Sequence, residues 1–166
     1  REIVQGAVAA AKKYDCEIVL IGDEKQIRAE LHGEDAAALR ISVVHASEVI
    51  GMNEHPAEAV RTKKDSSIVV ATRLVREGSC DAVFSAGSTG AAVAAAQLIL
   101  HRIRGVGRPA IATPMPTPDG VTLMLDSGAN VDSRPEHLVQ SAVMGSLYAQ
   151  YVFGIERPRV GLLNIG

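Results

Sequence analysis

The segment from Asp81 to Ala91 most constrains the fold, because a short apolar run passes through a turn of very small residues directly into an alanine-rich helical pattern. A buried strand followed at once by a helix is the repeating unit of α/β proteins with parallel sheets. Gly87 and Gly90 allow the backbone to approach a ligand closely, and the N–H groups that open a helix favour an anion. The hydroxyl groups of this turn belong to Ser85, Ser88 and Thr89. The turn therefore predicts a phosphate site, although turns with a purely structural role are also rich in Gly and Ser.

Helical and strand patterns alternate along the rest of the chain. Strands are predicted over 17–21, 41–44, 81–85, 110–113, 121–126 and 159–165. Helices are predicted over 3–11, 57–64, 66–77, from the Gly-Ser-Thr-Gly turn to about 104, and over 135–153. Asp23 is expected to cap a helix, Pro56 to begin one, and Gly78 and Gly105 to end one. The alternation predicts an α/β fold whose mainly parallel sheet is covered by helices on both faces.

The proline-rich segment 114–120 interrupts this alternation. Proline and glycine in such a cluster are typical of turns, so strands 110–113 and 121–126 are expected to form an antiparallel hairpin around it.

Two further strands end in turns that resemble the first. Strand 121–126 leads into Asp126-Ser-Gly-Ala-Asn, which contains Gly128 and Asn130, and strand 159–165 leads to Gly166. Ligands of open parallel sheets collect outside the carboxyl ends of the strands. These turns are therefore expected to contribute to one composite site.

Composition limits the classes of function. A chain of 166 residues with 47% hydrophobic content can bury an ordinary core, so one compact cytoplasmic domain is expected. The net charge of −2 argues against non-specific nucleic-acid binding. Cys16 and Cys80 are isolated and are expected to be reduced thiols, while the five histidines show no paired-ligand spacing. We therefore expect neither a metal ion nor another cofactor.

Basic residues are grouped although the total charge is nearly balanced. A first group lies along the helical stretch before the Gly-Ser-Thr-Gly turn and consists of Arg61, Lys63, Lys64, Arg73 and Arg76. A second group crowds the end of the helix after that turn and consists of His101, Arg102, Arg104 and Arg108. Solvated helix faces and cations near helix C-termini account well for the second group. For the first group, contact with an anionic ligand or an acidic partner is an equally good interpretation.

Several motifs, taken in order, resemble one known family. They are EHPAEAVRTKKDSS over 54–67, SAGSTG over 85–90, RPA over 108–110, LDSGANVD over 125–132, PEHLVQ over 135–140, MG over 144–145 and GLLNIG over 161–166. This ordered set resembles the bacterial PlsX-type phosphate acyltransferases along essentially the whole chain. No single motif would be sufficient.

The resemblance implies a Rossmann-like three-layer αβα sandwich related to the phosphate acetyltransferase and isocitrate dehydrogenase group. It implies transfer of an acyl group from acyl-acyl carrier protein to inorganic phosphate, which gives acyl phosphate for phospholipid synthesis. It also implies a homodimer, peripheral association with the membrane and no cofactor. Family members have an N-terminal strand and a C-terminal half beyond this sequence, so the chain is expected to be a fragment without full activity on its own.

The expected chemistry needs few catalytic groups, because phosphate is already a nucleophile at neutral pH. The protein must hold the anion, position the thioester carbonyl and stabilise the oxyanion. Asn130 and Ser88 are the predicted catalytic residues, and phosphate binding is assigned to Gly87, Ser88, Thr89, Gly90, Gly128 and Asn130. Asp126 and Asp132 are expected to order loops or cap a helix, and His137 to lie on a helix surface or in its first turn.

Two alternatives remain open at the level of sequence. Ser88 lies in an Ala-x-Ser-x-Gly variant of the hydrolase nucleophile elbow, and Ser88, Asp126 and His137 follow the chain order of an α/β-hydrolase triad. No separate oxyanion motif is present. A non-catalytic phosphate or nucleotide module is the other alternative, although the chain has neither GxGxxG nor GxxxxGK[ST].

Overall fold

The computed structural model describes residues 1–118, 120–128 and 132–163, and the chain divides into two compact units, Arg1–His101 and Arg102–Gly166. The first unit contains α1 (Glu2–Lys13), β1 (Ile18–Gly22), α2 (Glu24–Glu30), β2 (Ile41–His45), α3 (Pro56–Thr62), α4 (Ser67–Arg76), α5 (Thr89–Ala95) and a π-helical segment (Ala96–Leu100). The second contains β3 (Thr113–Thr117), β4 (Gly120–Met124) and α6 (Pro135–Phe153).

The first half of unit one is built around a parallel strand pair. β1 and β2 pair in register from Ile18 with Ile41 to Gly22 with His45. Val4 and Val8, one helical turn apart on α1, are buried with the strand residues and form a core cluster. Its buried members are Val4, Val8, Leu20, Leu31 and Ile41. A helix packed over a parallel pair is the arrangement that the alternating pattern predicts.

The second half of unit one packs helices closely on small residues. Val60 of α3, Val69 of α4 and Ala95 of α5 form a second core cluster, with 2%, 2% and 0% of their surface exposed. Ala91 is also buried on the same side of α5, one turn before Ala95. The alanine content of α5 therefore permits close helix contact in addition to any role in binding.

The second unit combines a hairpin with one long helix. β3 and β4 pair antiparallel from Thr113 with Met124 to Thr117 with Gly120. On α6, a Cβ atom at Gly145 would lie 3.3 Å from Cδ1 of Leu125, so the missing side chain leaves room for that leucine. The helix ends at Phe153 and is capped by Gly154, whose φ of 68° is the left-handed conformation that glycine adopts readily.

The structure confirms the α/β class, the parallel pairing of the first two predicted strands and most helix boundaries. Asp23 is the N-cap of α2 and accepts a hydrogen bond from the Gln26 backbone N–H at 3.0 Å. Pro56 begins α3, and the predicted break between the two helices lies at residues 63–66. Gly78, with φ of 76°, follows the end of α4.

Three strand predictions are wrong in position or kind. Residues 81–85 and 159–163 form no strand. A strand requires a paired neighbour, and these two segments lack one in the described part of the chain. The side chain of Phe84 is accordingly 89% exposed. Instead of residues 110–113, the third strand covers Thr113–Thr117, so most of the predicted turn is itself extended. Pro114 and Pro116 alternate along it, which places both ring nitrogens on the same edge of the strand. Asp119 and residues 164–166 lie outside the described residues.

The helix that begins after the Gly-Ser-Thr-Gly turn is shorter than predicted. It ends at Leu100 and not near Arg104, and its last five residues are π-helical. His101 follows with a left-handed φ of 67°, which breaks the helical path before Gly105 is reached. None of the helices in the described part of the chain is long and apolar enough to cross a membrane.

Candidate functional site

The Gly-Ser-Thr-Gly turn lies at the start of α5, as its composition predicts. Ser88 is the N-cap of α5, and its Oγ accepts a hydrogen bond from the Ala91 backbone N–H at 3.3 Å. The Oγ of Ser85 accepts one from the Gly87 N–H, also at 3.3 Å. Both hydroxyls therefore order the turn. Within the described residues, the N–H groups of Thr89 and Gly90 have no hydrogen-bond acceptor and can donate to an anion.

The two glycines of this turn differ in their surroundings. A Cβ atom at Gly90 would lie 2.7 Å from Cγ and 3.4 Å from Cβ of Pro56, the first residue of α3. At Gly87 the nearest such contact would be the Ser85 Oγ, at 3.6 Å. Gly90 is thus required by the packing of α5 against α3, whereas Gly87 leaves space above the turn.

The second predicted turn, after β4, is ordered by a carboxylate. Oδ1 of Asp126 accepts a hydrogen bond from the Ile111 backbone N–H at 2.6 Å, and the Ser127 N–H donates to the Ile111 carbonyl at 3.0 Å. The loop-ordering role predicted for Asp126 is confirmed. Gly128 has a φ of 102° and needs the freedom of glycine, while Asn130 lies outside the described residues.

Residues near the start of α6 have structural partners. His137 is the third residue of α6, and its Nδ1 accepts a hydrogen bond from the Arg134 N–H at 3.2 Å, which confirms the expected place in the first helical turn. The N-cap is Arg134 and not Asp132. The backbone carbonyl of Asp132 accepts a hydrogen bond from Arg108 at 3.2 Å.

The five basic residues of the first group separate into different environments. Lys63 donates at 2.7 Å to both Glu54 Oε1 and the Val49 carbonyl, so it holds the 49–54 loop. Arg61 lies exposed in the last turn of α3. The remaining three line one groove on unit one and are Lys64, Arg73 and Arg76. Their assignment to an anion or a carrier protein stays a prediction.

Similarity to known proteins identifies the family. The family model described as "Fatty acid synthesis protein" matches residues 1–166. The chain belongs to this family. It is 59% identical over 165 residues to the phosphate acyltransferase of Desulforamulus reducens, covering 99% of this chain and 49% of that protein. The phosphate acyltransferase of Pelotomaculum thermopropionicum is 59% identical (100% and 48% covered), and that of Moorella thermoacetica is 57% identical (100% and 49%).

The resemblance stated from the motifs is thereby confirmed at the level of the family. The chain spans about half the length of the curated relatives it matches. The predicted composite site stays a prediction for this member of the family, because its three turns belong to different units and Asn130 and Gly166 lie outside the described residues.

In this member of the fatty acid synthesis protein family, sequence reasoning missed a polar cluster after β1 and β2. Gly22 ends β1 and Asp23 follows it, and His45 ends β2 directly beside Gly22. The His45 Nδ1 accepts a hydrogen bond from the Glu24 N–H at 3.3 Å. Polar residues directly after two adjacent buried strands were the available signal. The described residues contain no group of His, Cys, Asp or Glu suited to a metal ion.

Asp65 connects the loop before α4 to Ser47, which follows β2. Its carboxylate accepts hydrogen bonds from the hydroxyl and the backbone N–H of Ser47, the latter at 2.8 Å, and these bonds lower the pKa of Asp65 below the ordinary value of 3.8. Hydrogen bonding by Lys63 likewise lowers the pKa of Glu54 below 4.5. Both shifts favour the ionised form in the folded state.

These shifts predict a loss of stability in acid. A carboxyl group with a lowered pKa in the folded state stabilises that state above its unfolded pKa, and the contribution disappears as pH falls through the folded value. The free energy of unfolding should therefore decrease as pH falls below about 4.5, and Asp65→Asn should reduce that decrease. Urea unfolding at several pH values measures it. Asp81→Asn, at an exposed site, is the control, and an equal change in both variants would contradict the prediction.

Proposed function

We propose that this chain is part of a phosphate acyltransferase that transfers an acyl group from acyl-acyl carrier protein to inorganic phosphate. The product would be an acyl phosphate used in phospholipid synthesis. The observation that carries the proposal is the 57–59% identity, over essentially the whole chain, to proteins named phosphate acyltransferase. The N–H groups of Thr89 and Gly90, which have no acceptor among the described residues, support it because they suit an anionic substrate.

The finer features of the fold are part of the same proposal. A Rossmann-like three-layer αβα sandwich, related to the phosphate acetyltransferase and isocitrate dehydrogenase group, is supported by the parallel β1–β2 pair and the helices around it. Assembly as a single domain and a cytoplasmic location rest on length and composition, whereas homodimer formation and peripheral membrane association rest on the family resemblance alone.

In the proposed reaction, a phosphate oxygen attacks the thioester carbonyl carbon. A carbon–oxygen bond forms, the carbon–sulfur bond breaks, and the thiolate of the carrier protein leaves. The N–H groups of Thr89 and Gly90 would hold the phosphate, and Ser88 would fix their direction through its hydrogen bond to Ala91. Gly128 and Asn130 are proposed to complete phosphate binding, with Asn130 donating to phosphate or to the developing oxyanion.

Ser88→Ala provides the test of this role for the turn. The substitution should cost about 0.5–2 kcal/mol of stability because it removes the α5 cap. In a protein of full family length that carries this chain, it should lower phosphate-dependent formation of acyl phosphate but leave it measurable. The rate is followed by trapping acyl phosphate with hydroxylamine. Ser88→Thr, which retains a hydroxyl, should recover part of the rate.

A serine hydrolase is the alternative that the same experiment tests. In that mechanism Ser88 would be a covalent nucleophile, so Ser88→Ala would abolish turnover and a fluorophosphonate would label wild-type Ser88 stoichiometrically. The geometry does not favour it, because His137 Nδ1 accepts from the Arg134 N–H, and a triad histidine donates from this nitrogen to its aspartate. Phosphate binding without any turnover would instead support a non-catalytic phosphate or nucleotide module.

A further inference from the structure

A groove of about 500 Å³ lies on the first unit between α4 and the π-helical segment. Its apolar floor consists of Val69, Leu98 and Ile99. Its charged rim consists of Lys64, Arg73, Arg76 and Glu77. The floor continues the second core cluster of this unit, because Leu98 and Ile99 pack against its buried residues. The groove therefore has an apolar floor and a predominantly cationic rim.

The rim cations lack close anionic partners in the structure. Within the described residues, no carboxylate oxygen lies within 4.0 Å of the charged nitrogens of Lys64, Arg73 or Arg76. Arg73 donates to the Lys64 carbonyl at 3.0 Å and is also near enough to Asp65 to favour ionisation of that carboxyl. Lys64 and Arg76 are exposed, with no side-chain hydrogen bond among the described residues. Because Glu77 is the single acidic residue among the described residues that line it, the groove favours an anionic occupant.

The π-helical segment gives the groove its shape. Segments of this kind contain an extra residue per turn and occur frequently at functional sites. Here the segment covers Ala96–Leu100 and supplies both Leu98 and Ile99 to the floor. The left-handed φ of 67° at His101 then turns the chain away from the helix axis. The π-helical segment therefore supplies two of the three apolar residues of the floor, and α4 supplies the third.

We propose that this groove docks an acidic amphipathic helix of a partner protein. One apolar face of that helix would rest on Leu98 and Ile99, and its carboxylates would face the rim cations. The proposal rests on the proposed function for the partner's identity, which is then the acyl carrier protein, an acidic protein.

The position of the groove relative to the turn supports this assignment. The helix from the Ser88 cap to the groove contains the seven residues of α5 and the five of the π-helical segment. At a helical rise of 1.5 Å per residue, its length is roughly 18 Å. A partner docked in the groove could present a thioester at the turn only on a flexible arm of similar length. A carrier protein with an acyl group on such an arm meets this requirement.

A charge-reversal pair tests the proposal. Lys64→Glu with Arg76→Glu reverses two rim charges that make no side-chain hydrogen bond in the described part of the chain. Lys13→Glu with Lys25→Glu is the matched control, since it reverses two exposed charges of unit one away from the groove. Binding of a fluorescently labelled acyl-acyl carrier protein is measured by anisotropy at several salt concentrations. The groove pair should weaken binding at least tenfold and reduce its salt dependence, while the control stays within twofold of wild type.

Three outcomes would overturn the docking proposal. They are equal binding by the groove pair and wild type, an equal loss in the control pair, and no carrier-protein binding by the wild-type protein of full family length. Anionic phosphatidylglycerol vesicles serve as a further probe. Loss of vesicle binding in the groove pair with unchanged carrier-protein binding would assign the groove to a membrane. Anisotropy requires no turnover, so absence of acyl phosphate formation in the wild-type protein of family length would reject the proposed function separately.

Discussion

Gly90→Ala should destabilise the first unit by about 1–3 kcal/mol, because overpacking of a close contact forces the neighbouring atoms to move. The new Cβ would lie 2.7 Å from Cγ of Pro56, and a proline ring at the first position of α3 has little freedom to yield. Urea or thermal unfolding measures the loss. Gly87→Ala is the matched control, since its Cβ would meet no atom closer than the Ser85 Oγ at 3.6 Å.

Comparison of Gly87→Ala with Gly90→Ala distinguishes a role of the turn in packing from a role in phosphate binding. Gly87→Ala should remain folded, so any effect on function reports the space above the turn. In a protein of full family length, we expect at least a roughly tenfold loss in phosphate affinity or rate, which corresponds to about 1.4 kcal/mol. Phosphate-dependent kinetics and a thermal melt on the same sample provide the measurement. Unchanged kinetics in a stable Gly87→Ala protein would make the turn a packing feature only.

The helices were predictable from sequence because their ends are specified locally. The carboxylate of Asp23 reaches an N–H group three residues ahead, and Pro56 fixes a helical φ without losing a needed donor. Gly78 adopts the left-handed conformation that follows a helix end. Each signal involves residues within one turn, so it does not depend on the rest of the fold.

The strands were less predictable because a strand forms only where a second strand is available to pair with it. The apolar run over 81–85 has a strand pattern but no partner strand in the described part of the chain. In the hairpin, by contrast, residues Thr113–Thr117 pair with β4 although two of them are prolines. The two prolines are two residues apart, so both ring nitrogens lie on the same edge of β3. A two-stranded hairpin tolerates prolines whose nitrogens face its unpaired edge. Propensity alone favours a turn there.

In the candidate site too, features set by nearby residues were predictable from sequence, and features set by tertiary contacts were not. The capping role of Ser88 and the loop-ordering role of Asp126 follow from short-range patterns. Tertiary contacts decide the environment of the basic group, since Lys63 is engaged by Glu54 nine residues earlier while Arg76 lies at the groove. The polar edge beside Gly22 and His45 depends on the pairing of β1 with β2. Such a juxtaposition requires knowledge of which strands are adjacent.

Leu20→Ala should destabilise the first unit by about 2–5 kcal/mol, the range found for buried leucines in well-packed cores. Leu20 is the central residue of β1 and has 7% of its surface exposed. It packs in the cluster that joins α1 to the strand pair, so its removal leaves a cavity between a helix and a sheet. The free energy of unfolding from urea titration is the quantity to measure.

Ile3→Ala is the matched control, because it removes a similar apolar side chain from α1 at a position that is 61% exposed. Surface substitutions of this kind usually change stability by less than about 0.5 kcal/mol. If the parallel pair and α1 form the core of the first unit, the difference between the two variants should exceed about 1.5 kcal/mol, because the smallest loss expected for Leu20→Ala is about 2 kcal/mol and the largest expected for Ile3→Ala is about 0.5 kcal/mol. Equal effects would mean that Leu20 is no better packed than Ile3, and the packing of α1 on β1 would then be wrong.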